Sequence, residues 1–145
     1  MATDRRGEVT WRGDLMSGSG TIEEVTSGAL PSLDVSWASR AESPDGKTSP
    51  EELIAAAHAA CFAMALSHGL AQAGTPPTSL ATAATVTFVP GTGITKSALE
   101  VRGEVPGVDD AAFREAADQA KENCPVSQAL KGNVELTLDA QLTSS

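Results

Sequence analysis

Basic side chains are scarce in this sequence: ten lysines and arginines stand against nineteen aspartates and glutamates, a net charge of −9. A chain of that sign lacks the footprint that phosphate backbones or anionic lipid attract, which argues against nucleic acid or a membrane surface as partner. No basic segment followed by an apolar one opens the chain, so the expectation is no signal peptide, no anchor and a cytoplasmic setting. There are two cysteines, Cys61 and Cys124. In a reducing compartment they make a poor structural staple, which shifts attention to redox chemistry, metal binding or plain burial. Tyrosine is absent and aromatics are 3% of the chain, so any aromatic pocket wall must come from a few tryptophans and phenylalanines. The longest apolar run, residues 53–66, is broken only by His58 and is too short to span a bilayer. Neither repeats nor low-complexity tracts occur, and 145 residues suit one domain with a real core.

That apolar run is the most informative stretch. Ser49, Pro50 and Glu52 give the start signals of a helix: an N-cap acceptor, proline at the first helical position and the S-x-x-E capping-box spacing. Gly74 with Pro76 and Pro77 supplies the stop. Because the apolar residues run all the way round, the helix should be buried on most faces, with a partner subunit as one source of cover.

Elsewhere short strands are expected. Residues 7–11 and 21–25 read as a hairpin, and Leu33, Val35 and Trp37 alternate with polar neighbours as one more strand, ending at Ser39-Arg40. After the long helix, residues 84–88 and 95–105 form a second hairpin, and Asp109 or Asp110 caps an amphipathic helix that ends before Pro125. Pro125 opens a short helical turn, and Val134 to Leu142 alternate strictly as a last strand. The order implies an α+β fold with mostly antiparallel sheet.

Cys124, before Pro125, falls at the N-cap of a short helix, where backbone N–H groups favour a thiolate. Cys61 lies mid-helix among apolar residues, which raises a thiol pKa, so a reactive Cys61 needs a cation from elsewhere. Arg40 is the basic residue placed just upstream of the helix, and Glu51 is the carboxylate free to orient it if Glu52 serves the cap. The bland alternative makes Cys61 a small hydrophobe in a core helix, within a non-catalytic ligand-binding module. A third reading joins His58, Cys61 and Cys124 as a metal site; His58 as an ordinary core histidine is its counterweight. The C-x-x-C spacing of the zinc deaminases is missing after Cys124, and Gly91-Thr92-Gly93 lacks the helix a phosphate loop requires.

The helix SPEELIAAAHAACFAMALS and the later CPVSQAL resemble the OsmC/Ohr family of organic hydroperoxide reductases. So do GEVTWRGDLMSGSGTI, the segment from Trp37 to Arg40, TPPTS and Ile94-Thr95-Lys96, which spread the likeness over nearly the whole chain. His58 and Ser127-Gln128 resemble the OsmC branch. The resemblance implies an OsmC-like fold, with sheets wrapped around a long buried central helix in an intertwined homodimer, and a thiol peroxidase without metal or cofactor. It places the peroxidatic cysteine at Cys61, the resolving cysteine at Cys124, the thiolate-stabilising arginine at Arg40 and its partner at Glu51. It further implies a Cys61 sulfenic acid, a Cys61–Cys124 disulfide and recycling by a dithiol donor, a lipoyl-bearing protein in Ohr relatives. Organic hydroperoxides are the implied substrates, with hydrogen peroxide a second candidate, and Trp37 and Phe62 the candidate pocket residues. The residue after the arginine, often aromatic in OsmC-type members, is Ala41.

Overall fold

In a computed structural model describing residues 1–144, the elements run β1 (Gly7–Arg12), β2 (Ser19–Val25), β3 (Leu33–Val35), α1 (Trp37–Ala41), α2 (Pro50–Gln72), β4 (Ser79–Val89), β5 (Gly93–Glu104), α3 (Asp110–Asn123), α4 (Pro125–Leu130) and β6 (Glu135–Ser144). The strands form two three-stranded sheets, and contacts gather the chain into two units, Met1–Leu53 and one from Ile54 onward.

In the first unit β1, β2 and β3 pair antiparallel in that order. The strand expected to run through Trp37 stops at Val35. Ser36 takes extended backbone and caps a helical turn: its hydroxyl accepts the Ser39 N–H at 3.1 Å while the Ser39 hydroxyl accepts the Ser36 N–H at 3.0 Å. This reciprocal cap outweighs the period-two pattern, and Trp37 to Arg40 are helical. Thr48, in the loop before α2, is buried: its N–H donates to the Asp34 carbonyl and its own carbonyl accepts the Ser39 hydroxyl.

Helix α2 starts where expected. The Glu52 N–H donates to the Ser49 hydroxyl at 3.1 Å, but the Glu52 carboxylate accepts the Thr48 hydroxyl at 2.9 Å instead of turning back to the cap backbone. Half of the expected capping box is therefore replaced by a bond to the preceding residue. The helix is 23 residues long, and by length and composition alone it would pass for a membrane span. Beyond its first turn the buried side chains, His58, Phe62, Leu66 and Leu70, recur every four residues as one stripe of a core helix, while Ala56, Ala57, Ala60 and Met64 are exposed in the single chain. The chain alone thus covers one stripe of a helix whose sequence is apolar all round.

In the second unit β5 is the middle strand, antiparallel to β4 and parallel to β6. The parallel pair requires a crossover, which α3 and α4 supply. Leu99 and Val101 alternate with exposed Glu100 and Arg102 and pack with Phe62, Leu66, Phe113, Ala117 and Cys124 in one core. Gly103 lies on the same face beneath Phe113: a β-carbon there would meet the ring at 2.5 and 2.6 Å. Bare backbone at this point lets α3 approach the sheet closely.

Candidate active site

In the first unit the Arg40 guanidinium grips Glu51. Nε donates to Oε1 and Oε2, each at 3.1 Å, and Nη2 donates to Oε2 at 2.9 Å. The arginine side chain is 34% exposed and the glutamate 8%. The α1 cap fixes one end of the pair and the first turn of α2 the other, so the charge is held by rigid elements and not by a loose loop. A cavity of about 420 Å³ beside it is lined by Trp11, Leu15, Val35, Ser36, Trp37, Arg40 and Pro50. Trp37 is where a pocket residue was expected. Trp11 and Leu15 join it without a sequence signal, because both sit in or next to a hairpin that reads only as structure.

In the second unit α2 presents Cys61, half-buried, and the elbow between α3 and α4 presents Cys124, fully buried; both are free thiols. Cys124 closes α3 and caps α4 in one extended residue, its sulfur accepting the Ser127 N–H at 3.4 Å. Cys124 lies close enough to Cys61 to act on its thiol. Burial pushes the Cys61 thiol above its ordinary range, the Val126 N–H donating to its sulfur opposes that, and the neighbouring Cys124 adds to the rise. The Val126 N–H belongs to the first turn of α4, where backbone donors lack helical partners. Cys124 is thus brought to Cys61 together with a donor aimed at it.

His58, one turn before Cys61, is fully buried and bonded at both ring nitrogens: Nδ1 to the Ser97 hydroxyl at 2.7 Å and Nε2 to the Ser127 hydroxyl at 2.8 Å. Desolvation lowers its pKa, so the ring is neutral at physiological pH. The Ser127 hydroxyl also contacts Cys124 Sγ at 3.1 Å. Both ring nitrogens are engaged by hydroxyls, which leaves none free to ligate a metal in this arrangement. Among the described residues no three histidine, cysteine, aspartate or glutamate side chains cluster as a metal site requires.

Phe62, the other expected pocket residue, is fully buried in the core cluster. Of the remaining expected residues, Arg40 and Glu51 are brought together in one unit and Cys61 and Cys124 in the other. Ser97 had a visible but faint signal. It occupies the inward face shared with Leu99 and Val101, where a hydroxyl needs a polar partner.

Comparison with known proteins follows the same outline. The family model described as OsmC-like protein matches residues 43–139. Peroxiredoxin OsmC of Escherichia coli (strain K12) is 46% identical over 147 aligned positions, covering 99% of this chain and 100% of that one. Among solved structures, an organic hydroperoxide resistance protein OsmC from Legionella pneumophila superposes with a TM-score of 0.69 at 26% identity, covering 94% of this chain and 96% of that one. The organic hydroperoxide resistance protein OhrB of Bacillus subtilis does so with 0.65 at 28% identity, covering 94% and 98%. A family match over most of the chain, and near-half identity along all of it, show that this protein belongs to the OsmC family.

Proposed function

We propose that the protein is a thiol peroxidase that reduces organic hydroperoxides to alcohols by a two-cysteine cycle. The observation that carries the reading is the pair of free thiols in mutual reach, one half-buried and one fully buried, with a backbone donor on the former. The names of the relatives, a peroxiredoxin and two organic hydroperoxide resistance proteins, support the substrate class. In the cycle the Cys61 thiolate attacks one peroxide oxygen, the O–O bond breaks, the alkoxide leaves with a proton as alcohol, and Cys61 becomes a sulfenic acid. Cys124 then displaces hydroxide from that sulfur to form the disulfide, and an external dithiol restores both thiols by exchange.

Burial alone disfavours the Cys61 thiolate, so the cycle requires a cation; Arg40, oriented by Glu51, is assigned that role. The apolar cavity at Trp37 is assigned to the organic part of the peroxide. The exposed apolar side of α2, with Met64 72% exposed, supports a homodimer in which a second copy covers it.

Thiols counted before and after one equivalent of cumene hydroperoxide test the reading. Loss of both to an intramolecular disulfide is expected. Cys61→Ser should consume no peroxide, whereas Cys124→Ser should be oxidised once without turnover on a dithiol. Peroxide consumption that survives in Cys61→Ser would sink the assignment.

A further inference from the structure

The resolving thiol poses a proton problem. Cys124 is 0% exposed, so its proton has no direct route to water, yet the thiolate is the form that attacks a sulfenic sulfur. Apart from Cys61, its recorded partner among the described residues is Ser127, whose N–H and hydroxyl both face the sulfur, at 3.4 and 3.1 Å. The same hydroxyl lies 2.8 Å from His58 Nε2, and His58 Nδ1 lies 2.7 Å from Ser97. Cys124, Ser127, His58 and Ser97 thus form an unbroken buried chain, contributed by α4 and its cap, by α2 and by β5.

We propose that this chain is a proton relay that activates Cys124 for disulfide formation, a role that rests on the peroxidase reading above. A neutral imidazole has one donor and one acceptor nitrogen. With Nδ1–H donating to Ser97, Nε2 accepts the Ser127 O–H, and the Ser127 oxygen accepts the Cys124 S–H. Once Cys61 carries a sulfenic acid, the Cys124 proton passes to Ser127 while the Ser127 proton passes to His58 Nε2. The Cys124 thiolate, held by the Ser127 N–H and O–H, attacks the Cys61 sulfur. The S–S bond forms and the S–O bond breaks; the Cys61 sulfur is reduced and the Cys124 sulfur oxidised by the same amount. The departing hydroxide takes the proton that His58 received, so water is the product and the ring returns to neutral.

Burial keeps the resting ring unprotonated, so Nε2 is open to a proton, while the same desolvation makes the protonated ring short-lived and returns it to neutral. Among the described residues no charged side chain contributes to the lowering of the His58 pKa, and the titratable group acting on Cys61 is Cys124. Ser127, which touches the reacting sulfur, is a catalytic residue; His58 acts through it and is a positioning residue.

The test separates the two chemical steps. Reduced protein is mixed with one equivalent of cumene hydroperoxide; sulfenic acid is trapped with dimedone, and disulfide is followed by thiol count in quenched samples across a range of pH. His58→Gln keeps a hydrogen-bonding side chain at the ring position but removes its basicity. Its oxidation at Cys61 should match the wild type, while disulfide formation slows about a hundred-fold at neutral pH and trapped sulfenic acid accumulates, in the range general-base catalysis supplies. The slowed step should recover with rising pH as the thiol ionises unaided. Ser127→Ala, a smaller change, should behave alike, and Ser127→Thr should restore the rate. Wild-type disulfide rates with an unchanged pH profile in both His58→Gln and Ser127→Ala would overturn the relay while leaving the peroxidase reading intact. Failure of the wild-type protein to lose thiols to the peroxide would end both.

Discussion

Replacing Arg40 and Glu51 by alanine, singly and together, sets apart two costs that the geometry makes unequal. The carboxylate is the buried partner, with 8% of its side chain exposed, whereas the guanidinium keeps 34%. In Arg40→Ala a buried carboxylate loses two N–H donors that make three contacts. Breaking a fully buried pair in this way costs about 3–5 kcal/mol; partial exposure here brings the expectation to about 2–3 kcal/mol. In Glu51→Ala the arginine can turn its head to water, and the loss falls to about 1 kcal/mol, the upper end for exposed pairs. Both single variants remove the same pair interaction, so the double variant should lose less than the sum of the two single losses. Urea unfolding at one fixed protein concentration reads these differences. With a slope of about 2 kcal/mol per M, the midpoint should drop by about 1–1.5 M for Arg40→Ala and about 0.5 M for Glu51→Ala. Equal losses in the two single variants, or strict additivity in the double, would refute the argument that the buried carboxylate decides the cost.

Three further outcomes follow from named contacts. Because the neighbouring thiol adds to the rise at Cys61, Cys124→Ala should move the iodoacetamide reactivity profile of Cys61, read by peptide mass spectrometry, toward lower pH; a profile that stays or moves upward would contradict it. Gly103→Ala places a methyl at 2.5–2.6 Å from the Phe113 ring and should cost about 1–3 kcal/mol by overpacking, with partial recovery in a Phe113→Leu background; a neutral substitution would contradict the close approach. His58 is depressed in the folded state, so the unfolded chain binds its proton first. Its contribution to stability should therefore be fully present above about pH 6.5 and be lost as pH falls through the lower folded value. Melting temperatures of wild type and His58→Gln from pH 7 to 5 check this: the wild type should fall more steeply, and parallel curves would contradict it.

Much of this could be read in advance where a local signal matched the tertiary outcome. Ser49-Pro50 start α2, Asp109 caps α3 through the Ala112 N–H, Cys124-Pro125 mark the elbow, and the alternation from Val134 to Leu142 is strand β6. The helical turn at Trp37 was hidden because Leu33, Val35 and Trp37 alternate as a strand would, while the deciding hydroxyls of Ser36 and Ser39 look like ordinary loop polarity. The first half of β4 was hidden because Ser79, Ala81, Thr82 and Ala83 are too small or too polar to show a period; pairing with β5 makes them strand. Parallel pairing of β6 has no periodic signature at all. At the site, Cys61, Cys124, Arg40 and Glu51 stand out by residue type and position. The second ring partner of His58 does not, since Ser97 and Ser127 lie 39 and 69 residues away and meet only in the folded chain.

The crossover from β5 to β6 bears on the order in which the thiol pair comes into being. Cys61 lies on a helix whose backbone hydrogen bonds are local, and β4 and β5 close as a hairpin. Cys124 sits inside the connection that a parallel pairing must close, and pairing of that kind is slow because the loop entropy is spent before the contacts form. During synthesis the first sulfur emerges 63 positions before the second, and the elbow that aims Cys124 is secured only when β6 docks beside β5. The approach of the two sulfurs is therefore among the last things the chain acquires. A nascent chain carries two separate thiols, and only the finished fold brings them together.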